Sequence, residues 1–286
     1  MRSMLFVPGD SRRKFDKAVT TAADMLILDL EDSVAAGRKV EARAITADML
    51  AVPSRRAALF VRVNAFDTGE TLADLAAVMP GRPDGVVLPK CGGGTDVAKL
   101  ALYLDAFEAA HGIAAGQTKI LAIVTETAEA LFGLDSYKNS SSRLCGMMWG
   151  GEDLAASLGA TENRSNGVWH SPYVMARNLC LAGAAAANVA AIDTVSTEIG
   201  NLERIAQEAR EARRDGFAGK AVIHPNHVDT VNAAFTPTAD ELAWARRIIA
   251  AFAADPAAGV VKIDDRMIDK PHLRAAERIV AAAKQP

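Results

Sequence analysis

Two carboxylates, Glu126 and Asp153, follow the fifth and sixth of a series of short apolar runs. If those runs are neighbouring strands, about 5 Å apart, the two acids can converge on one ion. Hard oxygen ligands with no His or Cys beside them favour Mg²⁺ or Mn²⁺ over zinc. Mg²⁺ keeps several waters or substrate oxygens, so two protein ligands suffice. Both acids also precede helical stretches, and a carboxylate at a helix N-terminus is equally at home as a cap. The spacing leaves both readings open.

Other residues past the apolar runs add to this. Asp29, Glu31 and Asp32 place three acids within four residues. They repel one another unless a cation or donors compensate, and they suit a shell of groups holding an ion's waters. Helix capping is the simpler role for at least one of them. Arg62 lies inside a run, where burying it unpaired is costly. It either pairs with Asp29 or Glu31 or receives an anionic substrate, and its fork matches a carboxylate or an enolate oxygen. Lys90 reads as a salt-bridge residue, since nothing around it suggests a Schiff base. Arg12, Arg13 and Lys14 open a helix against its dipole, which an anionic ligand such as a phosphate would offset. Gly150 and Gly151 let backbone amides approach a ligand closely. His224 before Pro225 reads as structural.

The elements that must position these residues are eight apolar runs, at 3–7, 25–28, 59–63, 85–88, 120–124, 146–149, 190–192 and 221–223. Runs this short and this rich in Val, Ile, Leu and Met read as strands buried on both faces. Each precedes a helical stretch. Such alternation also suits a doubly wound open sheet, but eight repeats predict an α/β fold of the (β/α)8 TIM-barrel type. In a barrel the polar residues past each run stand at the strands' C-terminal ends, where barrel chemistry is done.

Residues 1–231 are expected to form the barrel, and 232–286 a C-terminal helical and hairpin extension packing on the barrel or on a neighbouring subunit. Thr238 with Glu241 makes a capping box, residues 255–259 read as a hinge, and 260–268 as a short irregular hairpin. Pro271 is expected to open the last helix. The polar loop 161–171, after the sixth run, is a candidate lid. The net charge of −3 argues against a nucleic-acid partner. The three cysteines are widely spaced, against a disulfide framework or a cysteine zinc site. With no membrane segment or signal sequence evident, the expectation is a cytoplasmic enzyme with no membrane partner.

The chain resembles the citrate lyase β-subunit and malyl-CoA lyase family of CoA-ester lyases, within the HpcH/HpaI aldolase superfamily. The resemblance runs through LFVPGD (5–10), LDLEDSV (28–34), VRVN (61–64), VLPK (87–90), ETAEAL (126–131), GGEDLAASLG (150–159), AIDTV (191–195), GFAGKAVIHPNHV (216–228) and MIDKPHL (267–273). It implies a Mg²⁺-dependent barrel with Glu126 and Asp153 as metal ligands, and with Asp29, Glu31 and Asp32 in the metal's outer shell. Arg62 contacts substrate, and Asp269 matches an acid/base carboxylate that some members place over a neighbouring subunit's site. Assembly as a homotrimer or hexamer is implied too. Asn226 stands where many relatives carry Gln, and the segment between Phe252 and Asp269 is short for a malyl-CoA lyase lid.

The expected reaction is reversible carbon–carbon cleavage of a 3-hydroxy-carboxyacyl-CoA thioester (malyl-, citramalyl- or citryl-CoA) to acetyl-CoA and a 2-oxo acid. In that scheme Arg62 and Asp269 are catalytic, Glu126 and the Gly150 and Gly151 amides bind substrate, and Arg12, Arg13 and Lys14 meet the CoA phosphates. A class II aldolase acting on free pyruvate-type substrates, a malyl-CoA thioesterase and a carrier-dependent citrate lyase subunit are the rivals.

Overall fold

The computed structural model describes residues 1–52 and 56–283. Eight strands form a closed parallel barrel. They are β1 (Ser3–Pro8), β2 (Met25–Asp29), β3 (Ala58–Arg62), β4 (Gly85–Leu88), β5 (Lys119–Ile123), β6 (Leu144–Met148), β9 (Ala190–Asp193) and β10 (Gly219–Val222). The short strands β7 (Arg164–Ser165) and β8 (Val168–Trp169) make an antiparallel hairpin in the loop after β6. The barrel order is β1-β10-β9-β6-β5-β4-β3-β2, so the (β/α)8 reading stands and the open sheet does not.

The helices are α1 (Arg12–Ala18), α2 (Lys39–Leu50), α3 (Thr71–Val78), α4 (Gly94–Ala110), α5 (Glu152–Ser157), α6 (Ser171–Ala187), α7 (Leu202–Asp215), α8 (His227–Phe235), α9 (Ala239–Ala254) and α10 (Lys270–Ala283). After β5 the connection is a 3-10 segment, Glu129–Gly133, in place of an α-helix. No described helix is long and apolar enough to cross a membrane.

Strands β2, β4 and β10 are buried along their whole length, as parallel strands covered on both faces must be. Met4, Met25, Ile27, Phe60, Val87, Leu121, Ile123, Met148, Ile192 and Ala221 make one buried cluster, to which β2 and β5 give two residues each and the other six barrel strands one each. A large residue meets a small one where β3 and β4 pair. Gly85 pairs with Phe60, and a Cβ at Gly85 would lie 2.2 Å from the Phe60 ring. The core is therefore filled by side chains, and the polar residues are displaced to the strand ends.

The chain divides into two compact units, Met1–Asn232 and Ala233–Pro286. The second has its own small core of Ala245, Ile248, Phe252, Ile263, Ile268 and Ala276. Thr238 and Glu241 form the expected capping box on α9. The segment expected to be an irregular hairpin is a regular one. Strand β11 (Val260–Ile263) pairs with β12 (Arg266–Asp269) from Val260↔Asp269 to Ile263↔Arg266. Its two turn residues, Asp264 and Asp265, both adopt left-handed φ, 46° and 59°. That matches the primed two-residue turn whose twist suits a hairpin, and Asp tolerates it better than most residues. The last helix begins at Lys270, one residue before Pro271.

Candidate active site

Barrel register decides the first contact. Asp29 ends β2, Arg62 ends β3, and the two are register partners. Arg62 donates from Nε and Nη2 to the two Asp29 oxygens at 2.7 and 2.8 Å. Its Nη1 lies 2.8 Å from Glu31 Oε2, and the guanidinium lies over the Phe6 ring at 4.9 Å. Arg62 is only 8% exposed, so this fork–fork pair holds a charge that burial would otherwise penalise. Burial pushes the Asp29 carboxyl up, but the Arg62 charge and hydrogen bonds prevail and hold it below the ordinary range. Asp29 also accepts the Glu31 and Ser33 amides at 2.9 and 3.1 Å, which fixes the turn after β2. Of the two roles open to Arg62, pairing is in place. Arg62 also lines the cavity described next.

A cavity of about 380 Å³ lies at the C-terminal mouth of the barrel. Asp29, Asp32, Arg62, Glu126, Glu152 and Asp153 give it polar walls, with the Gly150-Gly151 backbone between them. Phe6, Ile123, Met148, Trp149, Val195 and Ile223 are its apolar lining. Glu126 and Asp153 follow β5 and β6, which are adjacent in the barrel. Glu126 is 3% exposed and accepts the Lys90 amide at 2.5 Å. Burial, with Asp153 and Glu31 adding, pushes its carboxyl up to about 8 against that hydrogen bond and Arg62. A carboxylate this short of compensating positive charge is a ready ligand for a cation.

Among the described residues no group of three or more His, Cys, Asp or Glu is arranged to hold a metal. An ion here would rest on Glu126 and Asp153, with its other positions filled by water or ligand oxygens. That donor set fits Mg²⁺ or Mn²⁺ and does not fit zinc.

Lys90 joins these acids. Its ammonium bonds Glu31 and lies 3.5 Å from Asp153 Oδ1 and 3.7 Å from Asp32 Oδ2. The salt-bridge reading of Lys90 holds, but it understates a residue that touches both Glu126 and Asp153. Glu31 is raised by burial even with Arg62 and Lys90 beside it. It does not line the cavity, whereas Asp29 and Asp32 do.

The Gly150-Gly151 turn is narrower in use than its sequence suggests. The Gly150 amide donates to Thr125 Oγ1 at 3.0 Å, so that N–H is spent on the neighbouring strand end. The expectation that both amides bind substrate meets this contact at Gly150. Glycine is required for space: a Cβ on Gly150 would lie 2.7 Å from Glu126 Cγ, and one on Gly151 would lie 2.9 Å from the Trp169 ring.

Behind that turn is a buried polar network that the sequence did not point out. Trp149 Nε1 donates to Asp193 Oδ1 at 2.7 Å, and Lys220 Nζ to Asp193 Oδ2 at 2.9 Å. Arg177 Nε lies 3.2 Å from Asp193 Oδ1. Lys220 and Arg177 together hold the Asp193 carboxyl below its ordinary range despite burial. The available signals were Asp193, which ends β9, and Lys220, a charged residue inside the strand β10. The expected lid, 161–171, is the β7–β8 hairpin. Its Trp169 packs edge-on against Trp149 at 5.0 Å, and its Arg164 binds Thr197 Oγ1 at 2.6 Å.

Arg12, Arg13 and Lys14 are exposed at the start of α1, and Arg12 pairs with Asp16 at 2.9 Å. Asp269 ends β12 in the second unit, half-buried, with Oδ1 at 2.5 Å from His272 Nδ1. That pairing lowers its carboxyl below the ordinary range. His224 accepts the Asn226 amide on Nδ1 at 3.2 Å, a local turn contact.

A closed parallel barrel with acids and a guanidinium at its C-terminal mouth defines a TIM-barrel enzyme. Residues 2–225 match the family described as HpcH/HpaI aldolase/citrate lyase. The chain is 34% identical over 286 residues to citrate lyase subunit beta of Haemophilus influenzae, covering 99% of this chain and 97% of that protein. It is 32% identical over 299 residues to rat mitochondrial citramalyl-CoA lyase, covering 99% and 86%. Among solved structures it is similar to CitE from Mycobacterium tuberculosis in complex with magnesium, acetoacetate and coenzyme A. That likeness has a TM-score of 0.81 and 32% identity, covering 99% of this chain and 98% of that one. The chain belongs to the HpcH/HpaI aldolase/citrate lyase family.

Proposed function

We propose that this protein is a Mg²⁺-dependent CoA-ester lyase that cleaves, reversibly, a 3-hydroxy-carboxyacyl-CoA thioester to acetyl-CoA and a 2-oxo acid. The observation that carries this is the meeting of Glu126, Asp153 and Arg62 in one cavity that apolar residues also line. Relatives named for citrate and citramalyl-CoA cleavage, and a neighbour holding magnesium and coenzyme A, support the same chemistry.

Glu126 and Asp153 would hold the ion, which when bound supplies Lewis-acid polarisation of substrate oxygens. Arg62, anchored by Asp29, presents its positive charge where an enolate oxygen would develop, and its pairing keeps it from reorienting as charge builds. Phe6, Ile123, Met148 and Val195 exclude water and so strengthen these interactions. Asp269, kept ionised beside His272, is assigned proton exchange at the acyl carbon. Arg12, Arg13 and Lys14 are assigned to the CoA phosphates. A homotrimeric or hexameric, cytoplasmic enzyme remains part of this proposal.

The test is acetyl-CoA release from malyl-, citramalyl- and citryl-CoA, with Mg²⁺ and with chelator. Metal-dependent release from one of them is expected and names the oxo acid. Release from none would overturn the reading.

A further inference from the structure

Lys90 follows β4 with φ at 49°, in the left-handed region that a residue other than glycine rarely adopts. Such a backbone persists only where its surroundings over-determine it. Here both ends of the residue are claimed. Its amide donates to Glu126 Oε2 at 2.5 Å. Its ammonium bonds Glu31 and lies 3.5 Å from Asp153 Oδ1. One residue therefore grips both carboxylates proposed as metal ligands, one through the main chain and the other through the side chain.

The charges at this mouth are unequal. Five carboxylates, Asp29, Glu31, Asp32, Glu126 and Asp153, stand near two cations, Arg62 and Lys90. Arg62 is occupied by Asp29 and Glu31. Among the described residues, Lys90 is the side-chain cation paired with Asp153.

We infer that Lys90 is a resident counter-cation and a positioning residue. Its amide sets Glu126, and its ammonium competes with a divalent ion for Asp153. The inference rests on the metal reading proposed above. A doubly charged ion on Glu126 and Asp153 repels an ammonium only a few ångströms away, so uptake costs the Lys90–Asp153 contact. The Glu31 and Asp32 contacts remain to hold the displaced side chain. Lys90 thus keeps the acids parked without an ion and weakens ion affinity.

The experiment titrates Mn²⁺ and Mg²⁺ alone into the full-length protein by calorimetry, and follows the ion-induced rise in melting temperature. Lys90→Met and Lys90→Gln keep the Glu126-binding amide and remove the charge. Both should bind Mn²⁺ more tightly than wild type, by about tenfold or more, and show a larger ion-induced melting shift. Lys90→Arg keeps the charge and should bind as wild type does. Having two neutral variants guards against one that does not fold. Equal or weaker ion binding by the neutral variants overturns the inference, since a merely structural lysine gives that result. Glu126→Gln is the control for the reading beneath it. If it binds Mn²⁺ as well as wild type, or if wild type binds no divalent ion, the metal reading falls and the Lys90 inference falls with it.

Discussion

Asp193→Ala tests the network that backs the cavity. Lys220 is 2% exposed and would lose its partner at 2.9 Å. It would keep the Thr194 carbonyl at 2.7 Å and Glu208 at 3.3 Å, so the charge is not wholly stranded. Removing one partner of a buried ion pair costs about 3–5 kcal/mol, and these survivors place the loss toward the low end. The buried Trp149 indole loses its acceptor as well, about 1–3 kcal/mol taken alone. Arg177 retains Asp215 at 2.8 Å. The groups act as one network and do not add, so the total is about 4 kcal/mol. At about 2–4 °C per kcal/mol for a unit of this size, melting should fall by roughly 8–16 °C. Calorimetry reads the loss, and Trp149 emission reads the indole's change of environment. Asp193→Asn keeps an acceptor for the indole but not the charge, so it should disturb emission far less. Adding Lys220→Met to Asp193→Ala removes the stranded charge and should recover part of the loss. A cost below about 1 kcal/mol, or no recovery in the double variant, would refute the reasoning.

Two further predictions concern the site and the fold. Gly150→Ala places a Cβ 2.7 Å from Glu126 Cγ, while Glu126 is held by the Lys90 amide. On the proposed role of Glu126 at the ion, displacing it by even about 1 Å costs about a hundredfold in rate, so lyase turnover should fall by that order with folding retained; undiminished turnover would mean that Glu126 is not positioned by this contact. Glu108 accepts Arg143 Nη1 at 2.7 Å and the Gly116 and Thr118 amides at 2.8 Å each. Burial pushes its carboxyl up, yet Arg143 and these amides bring it down to about 2 from 4.5. A folded value below the unfolded one contributes stability that is present above pH 4.5 and lost as pH falls through about 2. Glu108→Gln should therefore be less stable than wild type at pH 7, with the gap closing between pH 4.5 and 2. A gap independent of pH in urea titrations would count against the assignment.

The barrel was legible because its evidence is local. Runs such as 25–28 and 85–88 are apolar throughout, and only a strand covered on both faces calls for that. The hairpin at Asp264-Asp265 was half legible: the turn residues were visible, but their shared left-handed φ was not. The Glu126–Asp153 pair could be expected from strand order alone, since successive strands in a barrel are neighbours. Lys90 was read as an ordinary salt-bridge residue because neither its backbone conformation nor its three acidic neighbours leave a trace in the segment 87–90.

By itself the sequence determined the alternation of buried strands and helices, the polar residue that ends each strand, and so the end of the barrel where chemistry is placed. Only the tertiary structure decided which of those polar groups are already spent. Register set Arg62 beside Asp29, which engages its fork. Closure brought Thr125 to the Gly150 amide, and brought Asp193 to Lys220 and Trp149. The reason is physical. Periodicity is a property of neighbours along the chain, whereas hydrogen bonds and ion pairs depend on distances of about 3 Å between residues tens of positions apart. Those distances exist only once the eight strands have closed on one another.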